Sequence, residues 1–493
     1  MNHEFILRAG CAGPEPPRIV ADDPMFAVSC TCPPGAGVKN STPLDSDSIM
    51  IDLSEAVQPE RIGKYRVIRR LGEGTTSEVF LCHDEFHDRQ VAVKRVRASA
   101  LRDAVDGHVF SRFFASEAAL AGLLHHPNVV DIFDAVPDPV SPYVVMEYVP
   151  GTTLRAYCQS GHLLPLEQVV EIGFKCAMAL GYCYRQGLIH RDVKPANILA
   201  LETNGVVTDV KITDFGSALN LASDATQVHR VGSLAYMSPE QLDGSQLDAR
   251  SDIYSLGAVL YHLIAGHAPF EASSQASLMH QICHVQPVSL VGLRAGVSTA
   301  LDQVVQRCLS KRADLRFSSW DALGEALSQL ITMHHVPRGA LQGVLDSERF
   351  TLLRTLDFFN NFGDVALWEV VHRAKWQRFA VGHALYSKGE EGRHFHIIAS
   401  GAVEVYRDGR RVAELGTGTS VGEMAYLAPN PELRRHSTDI VVTDAATTIS
   451  FAPDSLARLS PACRHLFDEA FIRVLVRRLH AAHEALAHPR RIL

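Results

Sequence analysis

Two apolar periods alternate along this chain, and the places where one replaces the other mark its elements. Short runs at 64–71, 78–83 and 90–96, rich in Val, Ile, Leu or Phe, predict three strands, and 143–149 predicts a fourth. Between them the period lengthens. Over 111–124, Phe113, Phe114, Leu120, Leu123 and Leu124 make one helical stripe, closed by His126-Pro127-Asn128. A longer helix over 166–185 carries Val169, Val170, Ile172, Ala177 and Leu180. A short strand at 210–213 follows, and 251–257 opens a strongly apolar helix. After a helix at 364–373, short strands predominate: 384–392, 394–398, 401–406, 411–415, 440–442 and 448–451, interrupted by a short turn or helix at 421–427. Regular short strands with glycine turns predict a small barrel or jelly roll. A last helix, 463–487, carries Phe467, Phe471, Val474, Leu475 and Leu479.

These patterns divide the chain. Residues 1–62 hold Gly/Pro clusters at 10–17 and 33–37 and the hydroxyls Ser41, Thr42, Ser46 and Ser48, which predict a disordered tail. One globular unit is expected over 63–332. A linker follows over 333–354, where Pro337, Arg338 and Gly339 break the pattern, and a second unit covers 355–488. The whole is an α+β multidomain chain, too long at 493 residues for a single core.

Composition narrows the class. Apolar residues at 46% and charged residues at 21% are the mix of a soluble globular protein. A formal net charge of -8 argues against nucleic-acid binding as the main role. No apolar run is long enough to span a bilayer, and Met1-Asn2-His3-Glu4-Phe5 does not open a secretory signal. Cys30 and Cys32 are the only close pair among ten scattered cysteines, so reduced cytosolic thiols fit better than zinc.

Candidate chemistry lies in the loops. His190-Arg191-Asp192-Val193-Lys194-Pro195-Ala196-Asn197 puts a carboxylate, a cation and an amide in one short loop. Phosphoryl transfer needs those parts to position a hydroxyl, steady the transferred group and hold a metal. Asp214-Phe215-Gly216, after the 210–213 strand, offers a second metal carboxylate. Upstream, Gly72-Glu73-Gly74-Thr75-Thr76-Ser77-Glu78-Val79 joins two predicted strands. Glycines let backbone amides approach phosphate oxygens. A dinucleotide fold would need a helix right after them, and 78–83 is a strand, so a hairpin over phosphates fits better. Lys94 interrupts an apolar strand, and Glu117 is the only acidic residue of the 111–124 helix and its natural partner.

In order and rough spacing, the Gly72 loop, Lys94, Glu117, 190–197, 214–216, Ser238-Pro239-Glu240, 252–257 and Arg316 resemble a Ser/Thr protein kinase domain of the bacterial, eukaryotic-like type, over about 65–330. The departures are Ser77 for the third glycine, Ser233 for threonine, and Ser238-Pro239-Glu240 for Ala-Pro-Glu. The resemblance implies a bilobal fold, ATP and Mg²⁺ as cofactors, and protein substrates phosphorylated on Ser or Thr. It implies that Asp192 orients the substrate hydroxyl or takes its proton. Lys194 would steady the γ-phosphoryl group, and Lys94, held by Glu117, would pair with the α- and β-phosphates. Asn197 and Asp214 would hold the metal. Leu71, Gly72, Gly74, Ser77, Val79 and Ala92 would line the ATP site with Lys94. Met146 would guard the back of the adenine pocket, with Glu147 and Val149 offering backbone hydrogen bonds to the base. Glu240 and Arg316 would form a structural ion pair, and Asp252 would brace the catalytic loop. Arg191 beside Asp192 implies a phosphorylation switch, with Ser223 and Thr226 as its candidate hydroxyls.

The second unit resembles a cyclic-nucleotide-binding domain, a β jelly roll with flanking helices, over about 355–488. Gly389, Gly392, Gly401, Gly416 and Gly422-Glu423 fall where its glycine framework would. The resemblance implies a site of Gly422, Glu423, Arg435 and Ser437 for cyclic AMP or cyclic GMP as effector, with Glu423 on the ribose 2′-hydroxyl. Aligned on 437–440, however, His436 stands in the place of the family's phosphate-clamping arginine, with Arg435 or Arg434 shifted beside it. A guanidinium suits a phosphate better than an imidazole. A barrel used only for docking or dimerisation is the alternative. For the first unit the rivals are a pseudokinase scaffold, disfavoured because Lys94, Asp192 and Asp214 are all present, and a small-molecule phosphotransferase. The expected function is a cytoplasmic Ser/Thr protein kinase with a sensor-like second domain, with oligomers allowed and no nucleic-acid or membrane-spanning role.

Overall fold

A computed structural model describes residues 59–487, apart from 75–76, 98–119, 121, 139–140, 204, 218, 221–233, 340–344, 429 and 431–432. Residues 1–58 of the expected tail thus lie outside the described residues. Its last two residues form β1 (Arg61–Ile62). With β2 (Tyr65–Glu73), β3 (Ser77–Asp84), β4 (Arg89–Val96), β5 (Ile132–Val136) and β6 (Tyr143–Glu147) it builds one antiparallel sheet in the order β1-β2-β3-β4-β6-β5. Side chains alternate along β4. Val91 and Val93 join a small core with Phe80, Cys82, Tyr143 and Val145. Ala92 and Lys94 therefore fall on the opposite face, where Ala92 joins the main core.

The next lobe is helical. After β7 (Thr152–Thr153), α1 (Leu166–Arg185) occupies the span its apolar period predicts and is buried over most of its length. Then come β8 (Leu188–Ile189), β9 (Ile198–Thr203), β10 (Val206–Ile212), β11 (Leu219–Asn220), α2 (Pro239–Asp243), α3 (Ala249–Ala265), α4 (Gln275–His284), α5 (Thr299–Cys308) and α6 (Trp320–Thr332). The helix ends follow local chemistry. Asp248 caps α3 by accepting from Arg250 N, and Gly266 closes it at φ +80°. Ser319 caps α6 through Ala322 N at 3.2 Å.

Within the expected linker, Asp346–Thr355 is a helix, α7, with Phe350 and Leu353 buried. It is followed by α8 (Asp364–Arg373), which has the predicted bounds. Trp368 of α8 is fully buried, 4.9 Å from the Phe350 ring, 6.2 Å from Phe174 of α1 and 6.3 Å from His126. One apolar core runs from the helical lobe through these rings to Phe395, Phe451 and Phe467 of the last unit.

That unit is an antiparallel sheet of β12 (Lys375–Phe379), β13 (Ala384–Tyr386), β14 (Phe395–Arg407), β15 (Arg410–Gly416), β16 (Ser420–Val421) and β17 (Asp439–Phe451), with α9 (Glu423–Leu427), α10 (Pro453–Ala457) and α11 (Pro461–Ala487) around it. It is the jelly-roll type expected, with one correction. The short strands read at 394–398 and 401–406 are a single strand, as are those at 440–442 and 448–451. What looked like a turn at Gly401 is a bulge, with φ +85° and register shifts on both sides. A Cβ there would lie 2.5 Å from Ala445 O, so glycine permits the close strand pairing. The true turn is at Asp408 and Gly409, both at positive φ, which suits a tight hairpin. Among the described residues no helix is long and apolar enough to cross a membrane.

Candidate active site and effector pocket

The loop that ends in the short 3₁₀ turn Pro195–Asn197 is held from three sides. Asp252 of α3 is buried and accepts from His190 N at 2.7 Å and Arg191 N at 2.8 Å. Burial pushes its carboxyl up, and the two amides and the nearby His190 and Arg191 charges oppose that shift. Arg191 itself adopts φ +67°, a strained conformation for a branched-free but bulky side chain, which these bonds hold in place. Gln241 of α2 donates to Arg191 O at 2.8 Å. His190 Nε2 lies 3.1 Å from Thr213 O, and Thr213 N donates to Asn197 O at 2.9 Å, so the loop is stitched to the segment carrying Asp214.

Inside this frame the predicted polar groups converge. Lys194 Nζ donates to Asp192 Oδ2 at 2.6 Å, and Asn197 Nδ2 donates to the same oxygen at 3.0 Å and to Asp192 O at 2.9 Å. Asp214, at φ +66°, accepts from Lys94 Nζ at 2.7 Å. The Lys94 ammonium holds its carboxyl well below the usual carboxylate range. The pair joins the strand lobe to the helical lobe.

The upper wall follows from sheet register. Val79 is opposite Lys94, Gly72 opposite Val79, and Ala92 opposite Met146. Gly74 N donates to Ser77 O at 2.8 Å, so the glycine loop is a hairpin, as the strand at 78–83 required. A Cβ on Gly72 would meet nothing within 4 Å, which leaves its backbone open to a ligand. Leu71 packs, partly buried, against the main core. Met146 is buried, with its sulfur 4.0 Å from Thr213 Oγ1 beside Asp214, and Val149 is buried just beyond it. The Glu147 N–H donates to Asp131 O at 2.9 Å, so that group is already engaged. Glu117, Ser223 and Thr226 lie outside the described residues.

The last unit carries an open cavity of about 630 Å³ lined by Gly422, Glu423, Arg435, His436, Ser437 and Arg478 among others. All four residues expected for an effector site therefore border one space. Their partners differ from the expectation. Glu423 is buried, with its carboxyl raised by burial against the opposing Arg478 charge. Arg478 of α11 pairs with Glu423 and donates to Ser420 O at 2.6 Å. Arg435 Nη1 donates to Gly389 O at 2.8 Å. His436 is buried with its ring 3.9 Å from that of Tyr386, and burial lowers its pKa, which favours the uncharged imidazole.

Comparison with known proteins bears on both halves. Residues 65–328 match the model of the protein kinase domain, more than half of the chain. The chain belongs to the protein kinase family. Residues 376–460 match the cyclic nucleotide-binding domain. Among curated relatives, the serine/threonine-protein kinase PknB of Mycobacterium leprae is 38% identical over 304 residues, which are 60% of this chain and 47% of the relative. PknB of Mycobacterium tuberculosis is 36% identical over 299 residues, 59% of this chain and 46% of the relative. A probable serine/threonine-protein kinase of Streptomyces coelicolor is 34% identical over 316 residues, 60% of this chain and 46% of the relative. The chain thus spans about half the length of the curated relatives it matches.

For the kinase domain the expected Glu240–Arg316 pair is present and bidentate, at 2.6 and 2.9 Å. Two charged groups escaped sequence reading. Arg478 sits in α11, where the apolar stripe is the only periodic signal and carries no mark of this arginine. Lys175 lies in the middle of α1, where a lone lysine among apolar neighbours was the available signal.

Proposed function

We propose that this chain is a serine/threonine protein kinase, which transfers the γ-phosphoryl group of ATP to protein Ser or Thr hydroxyls. The observation that carries the reading is the Asp192 carboxylate, braced by Lys194 and Asn197 in a loop stitched to the segment that carries an ionised Asp214. In this reading Asp192 orients the substrate hydroxyl and takes its proton as the oxygen bonds to the γ-phosphorus and ADP departs. Lys194 steadies the transferred group, and Lys94 pairs with the α- and β-phosphates under the Gly72–Val79 hairpin. The donor set fits a hard divalent cation, since a carboxylate from Asp214 and an amide oxygen from Asn197 are both oxygen ligands. Mg²⁺ bound there would neutralise charge on the phosphate oxygens. Met146, Ala92 and Val149 supply the apolar walls for adenine. A transfer assay with labelled ATP and generic protein substrates tests this reading, and a protein that binds ATP without transfer would favour the pseudokinase scaffold.

For the last unit, the cavity bordered by Gly422, Glu423, Arg435 and Ser437 supports a cyclic nucleotide, cyclic AMP or cyclic GMP, as effector of the kinase. Such a ligand would have to take Glu423 from Arg478, and so would act on α11. Calorimetry with each nucleotide tests it, and absence of heat would leave the unit a docking module. Free thiols at seven described cysteines support a cytoplasmic setting.

A further inference from the structure

Helix α1 carries a line of charge through an apolar core. Glu167, Glu171 and Lys175 are spaced by four residues, so they share one face, and all three are buried. That face receives the segment after the kinase match. Gly339 N donates to Glu167 Oε2 at 3.1 Å, and Ser347 N donates to Glu171 Oε1 at 3.1 Å, with the Ser347 hydroxyl on the other oxygen. Lys175 is only 2% exposed and offers three protons. Its ammonium meets Asp346 Oδ2 at 2.9 Å, Thr208 O at 2.9 Å and Asp209 Oδ1 at 3.2 Å. Burial alone would lower its pKa, but Asp209, Asp346 and Glu171 outweigh burial and keep the group charged.

Asp209 lies on β10, the strand that delivers Asp214. Its carboxylate also accepts from Asn128 Nδ2 at 2.7 Å, and Asn128 Nδ2 reaches Val210 O at 2.8 Å. Ile212 N then donates to Asn128 O at 2.9 Å, two residues before Asp214. A continuous set of polar contacts, centred on the buried Lys175 and Asn128, therefore runs from the first residue of α7, outside the kinase match, to the base of the Asp214 segment.

We propose that Asp346 is a positioning residue for Asp214. Through Lys175 and Asp209 it fixes the strand that presents the metal carboxylate, and it couples docking of the C-terminal unit to Mg·ATP handling. The inference rests on the reading of Asp214 as a metal-binding residue. Cutting this link alters metal handling, whereas loosening the same interface elsewhere does not. Arg354 supplies the control, since it bridges Asp321 and Asp364 at 3.1 and 3.2 Å on the exposed side of the interface.

The test uses the full chain. In Asp346→Asn the Mg²⁺ concentration for half-maximal transfer rises about three- to tenfold, and calorimetric binding of Mg·ATP weakens in step. Arg354→Ala lowers the melting temperature and leaves both values at wild type. A merely structural Asp346 would lower the melting temperature in the same way without moving the Mg²⁺ requirement, and that result overturns the proposal. A second measurement needs no variant. Coupling is reciprocal, so Mg·ATP slows hydrogen exchange in wild-type peptides covering 206–214 and also 346–355. Protection confined to the first peptide overturns the proposal. A wild-type chain that binds no Mg·ATP at all removes the functional reading itself, and this inference with it.

Discussion

Lys94 Nζ and Asp214 Oδ1 meet at 2.7 Å although 120 residues separate them in sequence. One belongs to the strand lobe and the other to the segment after β10, so the contact spans the cleft in which ATP is proposed to sit. Each charge is a partner of the other, and each is proposed to have a separate role toward Mg·ATP. Replacing Lys94 by methionine keeps the length and apolar stem but removes the ammonium. We expect Lys94→Met to reduce phosphoryl transfer at least about 100-fold, through weaker Mg·ATP use as well as slower transfer. Steady-state kinetics with labelled ATP measure it, and circular dichroism should report an unchanged fold.

The kinase lobe also has a buried ion pair whose loss should be structural. The Arg316 side chain is fully buried, and it donates to Glu240 as well as to Ser310 O at 2.8 Å and Arg250 O at 2.8 Å. Arg316→Ala leaves a carboxylate and several carbonyls without their donor. The expected loss is about 3–5 kcal/mol of unfolding free energy, read from urea titration. The Glu240→Ala, Arg316→Ala double variant should lose less than the sum of the two single changes, because the second change removes a partner already orphaned.

Acid should weaken the fold by forcing protons onto buried imidazoles. Burial, then the charges of Lys211 and Arg185, hold His126 at about 3, and burial, then His394 and His436, hold His396 at about 3. Both values lie below the ordinary 6.5, so the folded state keeps these rings neutral. Their stabilising share is fully present above pH 6.5 and is lost as pH falls toward 3. Between pH 7 and pH 5 the two rings together should remove roughly 4 kcal/mol of unfolding free energy. Denaturant titrations at the two pH values check this, and equal stabilities would contradict it.

The proposed effector pocket makes a gain-of-function prediction. His436 is neutral by burial, and Arg435 is turned to Gly389 O. His436→Arg would put a guanidinium into the cavity and should raise affinity for cyclic AMP or cyclic GMP at least about tenfold by calorimetry. Unchanged affinity would mean that the cavity does not take the cyclic phosphate near residue 436.

Much of this architecture was legible in the sequence because its parts act locally. The apolar period of α1 gave its bounds, and the spacing of Asp192, Lys194 and Asn197 put three polar groups in one loop, where they do meet. The Asp252 brace and the Glu240–Arg316 pair followed from resemblance and are present. What stayed hidden depends on contacts distant in sequence. Lys175 finds Asp346 across 171 residues, and no periodicity predicts such a meeting. Gly401 read as a strand end because a bulge and a turn leave the same glycine in the pattern. Arg478 reaches Glu423 across 55 residues from a helix whose apolar positions alone were informative.

Asp192 is proposed to serve protein phosphorylation. The direct measurement compares transfer of labelled γ-phosphate to a protein substrate by the wild-type chain and by Asp192→Asn, with melting temperature and Mg·ATP binding recorded for both. The expected result is labelled phosphoserine or phosphothreonine from the wild type, and a loss of about 100-fold or more in the variant with Mg·ATP binding retained. Transfer by Asp192→Asn at the wild-type rate would contradict it.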